Sequence, residues 1–240
     1  MRKFWSYISN GEYFVGCTGE TVYIYDANGG ELARFKDIKY AYHPIFSPEG
    51  NTLLVKSTGA YFAVYSLDTL SLKHKIRYSN VDGSQDDGYT FSLDGAHFYN
   101  IERQNNSCNS AISVYDTSNF SRINIYLAED EDINPDFIEY DKTGNLFVLG
   151  FCRGENGVFC HGFIAKFSEA QGLTDTYKLS YDDYRFYHNF KNLERSGFTD
   201  KAKQWSGFFY DGVDMTGMEN QKYPLFELWE KCKANQNKEI

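Results

Sequence analysis

Long apolar runs are missing from this chain. Nowhere do roughly 18 apolar residues follow one another, and Met1-Arg2-Lys3-Phe4-Trp5-Ser6-Tyr7 offers no stretch of the length a signal peptide needs. A soluble, cytoplasmic protein is expected. Basic residues are also scarce, with 24 Lys and Arg against 33 Asp and Glu and a net charge of −9. That balance disfavours direct nucleic-acid binding, which rests on clustered cations, and makes a basic protein the natural complement. The five cysteines (Cys17, Cys108, Cys152, Cys160, Cys232) are an odd set with no framework spacing, which fits reduced thiols rather than a disulfide scaffold. No nucleophile motif, glycine-rich phosphate loop or dinucleotide fingerprint occurs, so neither an enzyme class nor a cofactor is implied.

What the chain does contain is aromatic residues and a repeat. With 20 Tyr, 20 Phe, 3 Trp and only 4 Pro in 240 residues, it suits pleated, half-buried surfaces, and its 42% apolar content can fill one domain. A phrase of small turn, short strand, and strand ending in an aromatic residue and Asp recurs about every 40 to 50 residues. Ser9-Asn10-Gly11 leads to Tyr23-Ile24-Tyr25-Asp26, and Ser47-Pro48-Glu49-Gly50 leads to Val64-Tyr65-Ser66. Ser92-Leu93-Asp94-Gly95 leads to Val114-Tyr115-Asp116, and Asp141-Lys142-Thr143-Gly144 leads to Ala165-Lys166-Phe167-Ser168. A weaker fifth copy survives as Phe209-Tyr210-Asp211.

Alternation of apolar and polar residues divides each copy into four short strands. The units span about residues 4–36, 40–77, 88–127, 136–179 and 184–227, with a tail at 228–240. The fifth unit is read as strands at Arg185 to Phe190, near Gly197, at Gly207 to Asp211 and at Lys222 to Phe226. Apolar residues at Leu225, Leu228, Trp229 and Cys232 have helical spacing, so a short C-terminal helix is expected there. The expected fold class is all-β, a small β-propeller of five four-stranded blades in a single domain. A twisted β-sandwich with coincidental turn spacing is the alternative.

The Ser-Pro-Glu-Gly turn at 47–50 and the aromatic-Asp strand end at Tyr115-Asp116 resemble those of WD-repeat-like and YncE-like β-propellers. The resemblance covers residues 4 to about 180 and implies a fold, not an activity.

Length and negative charge collect in particular connections. The turns between first and second strands, and between third and fourth, are short, whereas the second-to-third and fourth-to-next-first connections lengthen. In a propeller these two classes emerge on one face, and insertions on one face of a repeat protein mark its working side. The connections between units hold Asp37; Asp82, Asp86 and Asp87; Glu129, Asp130, Glu131, Asp132 and Asp136; then Asp182 and Asp183. Those eleven carboxylates are a third of the chain's 33. Each loop alone reads as a solvated turn, but together they would steer a cationic partner. Tyr78, Tyr89, Tyr126, Tyr181 and Tyr184 flank them, as interface residues or as strand-end packing. The partner-binding set is therefore Asp82, Asp86, Asp87, Glu129, Asp130, Glu131, Asp132, Asp182, Asp183, Tyr181 and Tyr184.

Cys152, Cys160 and His161, with Cys108 as a fourth, have ligand chemistry for zinc but not its usual spacing, and the acidic runs lack a calcium-loop pattern. His43 and His188 could line a propeller's central channel. Two functions follow: a non-enzymatic module binding a basic protein, such as an immunity protein masking a cationic nuclease toxin, or an enzyme or ligand-binding propeller working from the channel.

Overall fold

The structure is a computed structural model that describes residues 3–79, 88–103, 110–127, 132–154, 157–195 and 209–236. Four four-stranded antiparallel sheets account for most of it, each a meander whose neighbours in sequence are neighbours in space. The first holds β1 (Ser6–Ser9), β2 (Tyr13–Cys17), β3 (Val22–Asp26) and β4 (Glu31–Phe35); the second β5 (Ala41–Phe46), β6 (Thr52–Ser57), β7 (Tyr61–Ser66) and β8 (Ser71–Arg77). The third holds β9 (Tyr89–Phe91), β10 (His97–Arg103), β11 (Ser110–Asp116) and β12 (Ser121–Leu127); the fourth β13 (Ile133–Tyr140), β14 (Leu146–Arg153), β15 (Phe159–Ser168) and β16 (Gly172–Leu179). All sixteen strands expected in the first four units are present.

The recurring phrase is a pair of turns with fixed hydrogen bonding. Ser47 accepts the Gly50 amide on its carbonyl at 2.9 Å and the Thr52 amide on its hydroxyl at 3.2 Å. Ser92 holds the Gly95 and His97 amides in the same way, and Asp141 holds those of Gly144 and Asn145. The glycine closes each turn in the left-handed region, with φ of 78°, 70° and 89°, where a Cβ would be strained. Asp at the end of the third strand closes the next turn. Asp26 accepts the Asn28 and Gly30 amides, and Asp116 that of Ser118, on Oδ1.

The described chain divides into two compact units, residues 3–79 with 192–195 and residues 88–191 with 209–236. In the first unit Val15 and Ile24 of the first sheet pack against Leu53, Val55 and Ala63 of the second. In the second unit Ile101, Ile112 and Val114 of the third sheet meet Val148 and Ala165 of the fourth. The fourth sheet is buried on both faces, because Phe147 and Leu149 alternate with Val148 and point to the opposite side. Two helices cover that side: α1 (Tyr181–Arg195), through Tyr184 and Tyr187, and α2 (Pro224–Gln236), through Leu225, Leu228 and Trp229.

The fifth repeat departs from expectation. Residues 185–190, read as the first strand of the fifth unit, lie inside α1. Ser180 accounts for this, since its hydroxyl accepts the Asp183 amide at 3.1 Å and donates to the Asp183 carboxylate at 2.7 Å, a reciprocal cap that starts a helix. Asp182 and Asp183 then sit in the first turn, where the helix dipole favours negative charge. The stretch Lys222 to Phe226 is likewise not a strand, because Pro224 opens α2, which bears out the expected C-terminal helix. Between them β17 (Phe209–Tyr210) and β18 (Val213–Asp214) form a two-stranded hairpin around Asp211-Gly212, both with positive φ. Gly197 and Gly207 lie outside the described residues. Among the described residues the fifth repeat is therefore no four-stranded sheet. No helix among them is long and apolar enough to cross a membrane.

Candidate functional site

Strand pairing fixes which strand ends share a rim. In the fourth sheet Ile133 pairs with Cys152, Cys152 with His161, and Gly162 with Leu179. The start of β13, the end of β14, the start of β15 and the end of β16 thus lie together. Asp132 precedes that rim and Ser180 follows it, so Asp132 and the start of α1 belong to the same end of the sheet.

At the start of α1 a cleft of about 460 Å³ is lined by Asp182, Asp183, Arg185 and Phe186 of the helix and by Gly212, Val213 and Asp214 of the hairpin. The hairpin is held there by Arg185, whose guanidinium donates to the carboxylate of Asp211 at 2.8 Å and also to its carbonyl. That bond raises the Arg185 pKa, and the guanidinium is taken by Asp211. Asp214 accepts the Thr216 hydroxyl at 2.7 Å and its amide at 3.0 Å, which lowers the Asp214 pKa and keeps it ionised. Lys231 of α2 approaches Asp183 at 3.5 Å. The cleft therefore presents three carboxylates, with one ammonium at its edge and one guanidinium already engaged. Tyr181 stands beside it, 53% exposed, its ring edge-on to Phe159 at 5.2 Å and under the Arg185 guanidinium at 5.5 Å. Such a site can take a cationic side chain with an aromatic flank.

Of the residues expected to bind a partner, Tyr181, Asp182 and Asp183 come together here. Asp132 is exposed on the same rim, with its carbonyl accepting the Arg153 amide at 2.9 Å. Tyr184 departs from the expectation: it is buried against the fourth sheet, and its hydroxyl donates to the buried carboxylate of Asp136. Asp136 is thus an internal acceptor, not part of an acidic surface. Tyr78 and Tyr89 are buried too, and Tyr126 donates its hydroxyl to the Glu169 carbonyl at 2.7 Å. Asp82, Asp86, Asp87, Glu129, Asp130 and Glu131 lie outside the described residues. Asp214 and the Arg185–Asp211 pair escaped the sequence reading, although the Asp-Gly dipeptide before Val213 signals the hairpin that carries them.

The chemical candidates separate. His188 lies on α1, not on an innermost strand, with Nε2 3.9 Å from Asp136 and its ring against Phe137. His43 is on β5 in the other compact unit, its ring against Tyr42 and its amide donating to the Ser6 hydroxyl. Cys160 Sγ lies 3.4 Å from His161 Nδ1, and Cys152 is the cross-strand partner of His161, while Cys108 lies outside the described residues. Among the described residues no three metal-ligating side chains gather around one point.

No family model matches the chain, and no curated protein does. Solved structures do match in fold. The Kuenenia stuttgartiensis hydrazine synthase aligns at a TM-score of 0.57 and 16% identity, over 73% of this chain and 53% of that one. The Cps50 (Swd1) β-propeller domain of Myceliophteria thermophila aligns at 0.57 and 14%, over 75% and 57%. The chain spans little more than half the length of either. At these identities the likeness concerns the fold alone, and it is propeller-like: an all-β chain of four meander sheets in the manner of propeller blades.

Proposed function

We propose that the chain is a non-enzymatic protein-binding module that engages a basic protein through the acidic end of its fourth sheet. The supporting observation is the cleft at the start of α1, where Asp182, Asp183 and Asp214 converge beside the exposed ring of Tyr181. A Lys or Arg side chain entering it would meet the carboxylates of Asp182, Asp183 and Asp214, the last kept ionised by its bonds from Thr216, and a ring able to cover its stem. The net charge of −9 acts at longer range, raising the encounter rate with a cation at low salt. A cationic nuclease toxin is the partner class this charge suits best, with neutralisation by steric cover of its active site.

The reading is tested with the native chain and a variant carrying Glu129→Lys, Asp130→Lys, Glu131→Lys and Asp182→Lys as baits in one cell extract. Proteins held by the native bait and lost by the variant should be predominantly basic. An identical captured set for both baits contradicts the acidic-rim reading.

A further inference from the structure

A second cavity, of about 660 Å³, opens between the outer strands of the third and fourth sheets, wholly within the second compact unit. Its size lies in the range of about 300–1,000 Å³ common for small-molecule sites. Ile112 and Leu127 line one side, Ile133 and Phe167 the other. The ring of Phe163 lies against Gly150, where a Cβ would approach it to 2.5 Å, so glycine lets the ring sit down on the sheet and leaves the space above it open. Leu127, an apolar lining residue, is 62% exposed.

One wall is cationic. Lys178, cross-strand partner of Phe163, lines the cavity, and among the described residues no carboxylate pairs with it. The carboxylate on the adjoining turn, Glu169, is already held by His97 Nδ1 at 2.8 Å and by the Tyr99 hydroxyl, and Asp175 faces Lys166 at 3.9 Å. His161 also lines the cavity, and its imidazole is held below its usual pKa, first by burial and then by the charge of Lys178. Among the described lining residues, Lys178 is thus the one that carries a full charge. In a chain of net charge −9 this inverts the prevailing sign.

From the apolar walls and an ammonium that no described carboxylate pairs with, we infer that this cavity binds a small organic monocarboxylate on a flat apolar body, with Lys178 on the carboxylate and Phe163 and Phe167 against the body. The site is separate from the acidic cleft and does not depend on the protein-binding reading.

The probes are 2-naphthoate and its neutral isostere 2-naphthamide, followed by NMR through the methyl groups of Ile112, Leu127 and Ile133. The carboxylate should shift these methyls and bind at least about threefold tighter than the amide, a preference within the worth of one exposed charge-assisted contact. Lys178→Met should abolish the preference while leaving amide binding in place, and Thr176→Trp, at an exposed lining position, should block both probes. The inference is overturned if neither probe shifts these methyls, if acid and amide bind alike, or if Lys178→Met retains the preference for the acid. The Lys178→Met arm decides by itself should Thr176→Trp disturb the sheet.

Discussion

Cys17 and Cys160 occupy opposite extremes of thiol environment, and the difference is chemical as well as steric. Burial pushes the Cys17 thiol up to about 12, against a smaller opposing bond from Ser6, whereas Cys160 is exposed at the start of β15. Since the thiolate is the reacting form, iodoacetamide at pH 8 should modify Cys160 first and Cys17 only after unfolding. Peptide mapping checks this, and equal labelling rates for the two would contradict the packing of the first unit. His161 offers a second residue-level test. Its pKa lies below the ordinary value of 6.5, so the folded chain binds that proton less readily than the unfolded one. Its contribution to stability is complete above the unfolded pKa and is lost as pH falls through that value towards the lower folded one. Lys178→Met should raise the His161 pKa, seen in the imidazole NMR titration, but not restore it fully, because burial is the larger cause.

At the scale of elements, strands were legible wherever a turn with its own chemistry bounded them. Thr52–Ser57, Tyr61–Ser66, Ser71–Arg77 and Ser121–Leu127 each begin at such a turn, where a side-chain acceptor (Ser47, Ser57, Ser66, Asp116) and a left-handed residue (Gly50, Ala60, Leu70, Phe120) set the start of the strand. The stretch 185–190 misleads because Tyr and Phe favour strands while their positions also fit a helix. The deciding signal is Ser180-Tyr181-Asp182-Asp183, a cap whose residue types stand in the sequence but which the repeat pattern does not report. Ser180→Ala should therefore cost about 1 kcal/mol in urea unfolding. Trp229, 2% exposed, donates its indole N–H to the Asp175 carbonyl at 2.9 Å and packs on the fourth sheet with its ring tilted against Phe147. Truncating Trp229 to Ala should cost about 3–5 kcal/mol in the same measurement, a cavity-forming loss. A cost below about 1 kcal/mol would mean that α2 does not close this core.

For the whole molecule, the propeller-like character was readable from the period of the turns, since each of the first four repeats encodes one meander sheet. At the end of the chain only the helix at Pro224–Gln236 was. The last repeat places helices on the fourth sheet's outer face, and that depends on side chains far apart in sequence packing together, which no local pattern reports. The acidic site shows the same division. Asp182 and Asp183 were visible as charge, but the cleft exists only because Arg185 holds the 209–214 hairpin beside them. Asp136 and Tyr184 looked like rim residues and are internal partners. Whether that cleft receives a cationic protein is tested most directly by equilibrium binding to a panel of basic nucleases at 50 mM and 200 mM salt, about 50 and 200 being the span over which charge-driven contacts weaken. The native chain is compared with Asp182→Asn/Asp214→Asn, which removes two charges while leaving the Asp214 position an acceptor for Thr216. A member of the panel should bind the native chain, bind more weakly at the higher salt, and lose at least about fivefold in affinity to the variant. Failure of every member to bind, or binding indifferent to both salt and neutralisation, would contradict the account.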